Sequence, residues 1–570
     1  AGTAEVYYQY NTTNTINGVT CYYYTDVTLK TCVTNGTAIT VPTKAGYTFE
    51  GYYSGTNGTG TQYVDSKGVF MNNIYKTTGS KTLYAKWTVN KYKLTLTKGT
   101  GIGTIYYKIN GASTYSSTTA TATLNVNYGS TYYYYGVAST GYTYTACTAS
   151  SPCSGKMGTT AVSQTLTGTI NTYKVTLAVV GGTGATSKNI NYNGSGSFTS
   201  VSPSTNYTAT GATVSCNGGA SASLSGTTVT VSKVLKAQTC TVTFKGITLL
   251  SKLLTDNPTI KTRTAFNTVF TETNTGTLYK TTESIAGSAP KDVYYFAGNS
   301  LNNWVKFGGF YWRIIRTNHD SSIRLLYAGT SLDTTSGYIG TSMFNSPDNG
   351  PQYVGYMYGT IQNLSSNRTN ENNSVVKTYV DNWYSNNLNS YTKYLSNDAV
   401  YCSDRNIGSG SYTTGAKTFY FAAYTRLYTN KTPTYNCTNI KDAFSGSNSE
   451  AKLMYPVGLM TADELNFAGG VFWGNNANVW YYLNSAGGSI TGSKKWWSLS
   501  PYSGSGAGST VYVVSGSDYP GQLEFSGLGR NGDAGNFLLA VRPVISIKSC
   551  ALWSSGNGSS SSPYEINGGC

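Results

Sequence analysis

The chain carries a single histidine, His319, in 570 residues. Histidine is the commonest general base and metal ligand near neutral pH. A Ser–His–Asp triad could be built only around His319, and a multi-histidine zinc site lacks its ligands. His319 stands in an Asn-His-Asp-Ser-Ser stretch that reads as a solvent-exposed turn. Paired carboxylates are the other acid–base option, because glycoside hydrolysis needs two of them across the scissile bond. Asp463 and Glu464 follow Thr461 at the start of a helix-like stretch, where capping accounts for them better. Asp518, Glu524 and Asp533 fall in loop sequence whose pairing is open. Ser346-Pro347-Asp348-Asn349 echoes part of an oxygen-rich cation site without its second half. No phosphate loop, dinucleotide fingerprint or HExxH sequence is present. The expectation is a non-enzymatic chain with no cofactor and no metal.

Ten cysteines fall at Cys21, Cys32, Cys147, Cys153, Cys216, Cys240, Cys402, Cys437, Cys550 and Cys570. They read as five sequential pairs with no C-x-x-C spacing, so redox-motif and zinc-ribbon readings have no support. Local pairing of an even number favours disulfides in an oxidising compartment over buried thiols. The connectivity itself stays open. The expected location is extracellular, at a cell surface.

Charged residues make up only 11% of the chain, while tyrosine numbers 52 and glycine 65. Thr and Tyr favour strands and Gly and Asn favour turns, so a mainly β, multidomain protein is expected. Lys and Arg exceed Asp and Glu by 39 to 23, a net charge of +16. The lysines are scattered singly and form no basic arm, so nucleic acid is not an expected partner. Attraction to polyanionic surfaces is the softer implication. No run of about 18 apolar residues marks a membrane span.

The elements that must carry these residues fall into blocks. In residues 1–88, short alternating strands surround Val41 to Trp87. Gly46, Tyr47, Thr48, Phe49, Glu50, Gly51, Tyr52 and Tyr53, then Leu83, Tyr84, Ala85, Lys86 and Trp87, resemble the two blocks of the internalin B-type repeat of bacterial surface proteins. Tyr52 stands where that family usually has Trp. The resemblance implies a small β-grasp spacer with Phe49, Tyr84 and Trp87 in its core. Lys91–Leu96 (KYKLTL) recurs as Thr172–Leu177 (TYKVTL) and loosely as Thr239–Phe244 (TCTVTF), which suggests tandem β-grasp or immunoglobulin-like modules at 89–171 and 172–246. Tyr132–Tyr135 lie in a row, so a strand puts two on each face. Leu249, Leu250, Leu253 and Leu254 form one stripe of a short helix or linker at 247–257.

Residues 258–570 differ in composition, with eight of the nine tryptophans beyond residue 300. Phe310 to Ile315 alternates like a central strand. Trp496, Trp497, Ser498, Ser500 and Pro501, with Val541, Arg542, Pro543 and Val544, resemble bacterial C-type lectin-like domains. The resemblance is close to the branch shared by formylglycine-generating enzymes and retroelement-diversified variable proteins. The resemblance implies an α+β scaffold presenting a loop-rich binding face. It does not extend to the enzyme branch's chemistry, since no cysteine lies between Cys437 and Cys550. Arg542 reads as a structural hydrogen-bond hub.

The loops of this domain are rich in Ser, Gly, Tyr and Asn, the composition of an antibody-like contact surface. The candidate ligand contacts are Tyr502, Ser503, Ser505, Tyr512, Asp518, Tyr519, Glu524, Arg530, Asn531, Asp533 and Asn536. Trp473, Asn475, Asn476, Asn478 and Trp480 join them. The expected partner is a protein or glycan on another cell surface, bound by an adhesin whose β-modules carry the lectin-like head. The alternative is an extracellular filament subunit, self-associating through an N-terminal strand in the GTAEVYYQYN segment.

Overall fold

The computed structural model describes residues 38–71, 81–474, 480–485, 488–516, 519–529 and 537–570, together with a few short strands before residue 38. Strand outweighs helix by 44% to 12%, in many small sheets, so the chain is a β-rich multidomain protein. It divides into two compact units, the second holding nearly everything from Thr243 onward.

In the first unit, the strand Tyr47–Tyr53 pairs antiparallel with Lys81–Val89 and sets Phe49 opposite Trp87. Alternation decides which side chains go inward. Leu83 and Ala85 are buried beside Phe49, Tyr52 and Tyr63, with Trp87 packed against them. Tyr84 was expected in this core but points to the opposite face, one residue out of phase with Leu83 and Ala85. Val6–Tyr8 pairs antiparallel with Lys81–Leu83 of its own chain. The next core lies under Lys91–Lys98, Ile102–Ile109 and Thr131–Ala138. Tyr132 and Tyr134 are buried in it. Tyr135, on the other face, stacks on Tyr106 at 4.7 Å. The tyrosine row thus splits two and two. Thr239–Phe244 belongs to the strand Gln238–Gly246, in the same sheet as Thr172–Val180.

One joint recurs along this unit. The Asn90 N–H donates to Gly46 O at 2.9 Å, and the Tyr128 N–H donates to Asn90 O at 2.8 Å. The Thr48 hydroxyl donates to Asn90 Oδ1 at 2.5 Å. Asn171, Gly141, Tyr192 and Thr143 repeat the pattern at 2.9, 2.8 and 2.6 Å. Gly141 has φ +82°, and a Cβ there would fall inside the Tyr192 ring. Glycine is needed both for the left-handed backbone and for the close approach.

In the second unit, the helix Leu249–Asp256 is capped by Thr248 and buries Leu249 and Leu253. A seven-stranded sheet runs in the order Thr259–Lys261, Thr277–Glu283, Lys291–Tyr295, Phe310–Thr317, Ile323–Gly329 and Val544–Ile547, with Trp304–Phe307 also paired to Phe310–Thr317. A second sheet centres on Trp496–Gly504, flanked by Thr510–Val514 and then Leu523–Gly527. Trp312, Trp480, Trp496 and Trp497 are fully enclosed in the shared core. Thr461 and Glu464 form the expected capping box on the helix Ala462–Phe467.

Four disulfides join Cys147 to Cys153, Cys216 to Cys240, Cys402 to Cys437 and Cys550 to Cys570. The side chains of Cys21 and Cys32 lie outside the described residues. Four such crosslinks are consistent with an extracellular protein. No helix among the described residues is long and apolar enough to cross a membrane.

Candidate functional site

The short helix Ala422–Tyr424 runs on into a π-helical segment, Thr425–Asn430. Insertions of this kind recur at functional sites. Tyr424 and Tyr428 stand one helical turn apart and share a face, and Tyr420 of the preceding strand Phe419–Phe421 lies against Tyr424. They stack with centroids 4.1 Å and 5.1 Å apart. Arg426 fixes this segment from beneath. Its Nε and Nη2 reach the Asp463 carboxylate at 2.9 and 2.8 Å, and its Nη1 reaches Asp404 Oδ2 at 2.6 Å. Burial alone would weaken the guanidinium's hold on its proton, but Asp463 and Asp404 shift it strongly the other way.

Three neighbouring strands continue the aromatic surface. Trp496–Gly504 supplies Tyr502, Thr510–Val514 supplies Tyr512, and Leu523–Gly527 supplies Phe525. Tyr502 is the hub. It stacks on Phe525 at 4.5 Å and on Phe472 at 5.5 Å, and meets Tyr512 and Tyr424 edge-on at 5.1 and 5.3 Å. Trp473 packs edge-on to Phe472 at 5.2 Å. Its backbone has φ +56°, a left-handed conformation rare for a bulky side chain. Its N–H is held by Leu523 O at 2.9 Å, which fixes that turn. The result is a face on which Trp473, Tyr428 and Phe525 are 51%, 46% and 39% exposed, over a buried base of Phe472, Tyr502 and Tyr512.

The electrostatics of the face are simple. Burial, followed by the neighbouring phenols of Tyr424, Tyr420 and Tyr428, raises the Tyr502 pKa, and burial does the same for Tyr512. These phenols stay neutral at physiological pH. Lys431 stands beside the ladder, with its Nζ 5.3 Å from the Tyr428 ring centroid and its pKa lowered by burial. Such a face can stack against a ring or an apolar surface.

Of the candidate contacts, the structure brings Trp473, Tyr502 and Tyr512 together, although Tyr512 is wholly enclosed. Tyr519 is exposed. Four others are corrected. Trp480 is buried and donates its Nε1–H to Phe270 O at 2.8 Å. The Ser503 hydroxyl pairs with Thr510 Oγ1 at 2.7 Å. The Ser505 hydroxyl closes its own turn by donating to Gly508 O at 2.7 Å. Glu524 is taken by Lys495 at 2.7 Å and by the Ser515 hydroxyl. Each polar group is satisfied internally, so it does not face outward. Asn475, Asn476, Asn478, Asp518, Arg530, Asn531, Asp533 and Asn536 lie outside the described residues.

Sequence reasoning missed Tyr420, Tyr424, Tyr428, Phe472 and Phe525. The Tyr-x-x-x-Tyr-x-x-x-Tyr spacing was the available signal for the first three. The paired acids of the helix start are both committed, Asp463 to Arg426 and Glu464 to Arg316 at 2.9 Å. The His319 side chain is only 22% exposed, and its backbone N–H donates to Glu283 Oε2 at 2.6 Å. Arg542 is the expected hub, donating to the carbonyls of Tyr327 and Tyr482 at 3.0 and 2.5 Å. Among the described residues no group of three His, Cys, Asp or Glu side chains could hold a metal ion.

No protein-family model and no curated protein matches this chain. Among solved structures, it is similar to the Bacillus anthracis TIE protein, at 10% identity and a TM-score of 0.21. That match covers 46% of this chain and 51% of that one, so it spans about half of the other protein, and a likeness so slight carries no argument about function.

Proposed function

We propose that the protein is a secreted bacterial cell-surface adhesin without enzymatic activity, whose β-modules carry a C-terminal, lectin-like recognition head. The internalin B-type and C-type lectin-like resemblances, given above on their residues, supply the bacterial-surface part of this reading. The observation that carries the recognition part is the exposed aromatic face of Trp473, Tyr428 and Phe525 on its buried aromatic base. Tryptophan and tyrosine dominate binding hot spots because they offer large, stiff contact areas with little entropy to lose. The strained backbone of Trp473 supports the same reading, since strain collects where function holds it.

The test is binding of the full chain to arrays of glycans and to intact cells, beside the Trp473→Ala/Phe525→Ala double variant. Selective binding by the wild type, reduced at least tenfold in a variant of unchanged unfolding temperature, is the expected result. A wild type that binds nothing, or a variant that binds equally well, refutes the reading.

A further inference from the structure

Among the described residues of the second unit six arginines are buried: Arg313, Arg316, Arg324, Arg368, Arg405 and Arg542. Four of them meet a carboxylate: Arg316 and Arg324 at Glu464, Arg368 and Arg405 at Asp442. Among the described residues Arg313 and Arg542 meet none. A buried charge without a counter-ion is costly, so its setting matters. Arg542 lies against Trp496 in the closed core. Arg313 instead lines an open cleft of about 760 Å³.

The Arg313 guanidinium is held still. It stacks on the Trp304 ring, 4.1 Å from the centroid. Its Nε donates to Asn303 Oδ1 at 2.8 Å, Nη2 to Ser300 O at 2.8 Å and Nη1 to Asn484 O at 3.3 Å. A guanidinium has five N–H donors, so one on each terminal nitrogen is left over. Burial pushes its pKa down to about 9, the mark of a cation short of a negative partner. The other ionisable group of the lining, Asp256, is paired to Lys252 at 2.6 Å. With Asp256 neutralised by Lys252, Arg313 is the unbalanced charge of the lining.

The remaining lining is mostly amide and hydroxyl: Asn299, Asn302, Asn484, Asn557, Ser559 and Ser560. Leu301 is its one aliphatic side chain. Trp304 adds an aromatic ring, so the cleft joins apolar surface to hydrogen-bonding groups, as a sugar ring with its hydroxyls does. The cleft is also much larger than a lone small anion needs.

We propose that this cleft binds a carboxylated saccharide of the uronate type, with its carboxylate on Arg313 and its hydroxyls on the surrounding amides and hydroxyls. The fork of a guanidinium matches a carboxylate, and amides can both donate to and accept from sugar hydroxyls. The site shares no residue with the aromatic face and does not depend on the adhesin reading.

The test is calorimetric titration of the full chain with methyl glucuronide, methyl glucoside and acetate. Glucuronide is expected to bind at least tenfold tighter than either of the others. Arg313→Lys should lower that affinity tenfold or more. Because a buried arginine variant can fail to fold, Asn557→Trp serves as the second variant: Asn557 is exposed at the cleft, and a bulky ring there should block binding while leaving unfolding unchanged. Equal affinity for glucuronide and glucoside overturns the role of Arg313. Acetate binding as tightly as glucuronide overturns the saccharide assignment. Unchanged glucuronide binding by folded Asn557→Trp places any binding elsewhere and overturns the site.

Discussion

Arg316 and Glu464 meet at 2.9 Å with both side chains out of solvent. Glu464 also receives Arg324 and the Thr461 N–H, and Arg316 reaches Glu283 at 3.0 Å. One carboxylate thus ties a helix start to two adjacent strands. Glu464→Gln keeps the shape and removes the charge, which leaves Arg324 without a carboxylate and Arg316 with Glu283 alone. Breaking a buried pair from one side costs about 3–5 kcal/mol. Denaturant unfolding of the full chain should show that loss in the transition containing Trp312.

The same network makes stability depend on pH. Burial alone would push the Glu283 carboxyl up, but Arg316 and His319, then Arg324, hold it down at about 2. A carboxyl depressed in the folded state contributes fully above its unfolded value, near 4.5. That contribution fades as pH falls through the folded value. It amounts to about 3 kcal/mol, lost between roughly pH 4.5 and pH 2. Thermal unfolding across that range should fall steeply for the wild type and more gently for Glu283→Gln.

Trp473 offers a separate check on its left-handed backbone. Glycine has no steric penalty at φ +56°, whereas alanine has. Trp473→Gly should therefore be about 1 kcal/mol more stable than Trp473→Ala. Chemical denaturation of the two variants measures the difference. Equal stabilities would show that this turn is not strained.

Gly141→Ala introduces a Cβ into the Tyr192 ring on a backbone of φ +82°. The backbone term alone costs about 1–2 kcal/mol. Gly158→Ala is the control, because nothing lies within 4 Å of its Cβ position. Calorimetry should show a loss for the first and a change within about 0.5 kcal/mol for the second.

Cys550 and Cys570 close the last turn of the chain around Tyr564, which is buried and donates its hydroxyl to Asp256 at 2.8 Å. Replacing both cysteines with serine should cost about 2–4 kcal/mol. Unfolding under oxidising conditions reads that loss directly.

Features set by local chemistry could be read from the sequence. The Thr461–Glu464 capping box, the Leu249 and Leu253 stripe and the two-faced tyrosine row all follow from spacing along one element. The described disulfides join near neighbours, as the cysteine order suggested. Features set by tertiary direction were not legible. Composition marked Ser503 and Ser505 as loop contacts, but Ser503 pairs across two strands with Thr510 and Ser505 closes its own turn on Gly508. Tyr84 differs from Leu83 by one position in a strand, and nothing local says which phase faces the core. The aromatic face needed Phe472, Tyr502 and Phe525 to meet across separate elements. The joint was written twice, as Gly46-Tyr47-Thr48 with Asn90 and as Gly141-Tyr142-Thr143 with Asn171, but only the hydrogen bonds give that recurrence a meaning.

Asn90 is the sole residue between the strands Lys81–Val89 and Lys91–Lys98, and Asn171 stands alike between Thr169–Ile170 and Thr172–Val180. One extended residue spans only about 3.4 Å. A tug on this unit finds almost no spare length to pay out, and the strain passes straight into paired strands. Such a segment behaves as a tether that holds firm until a whole core gives way, rather than as a spring.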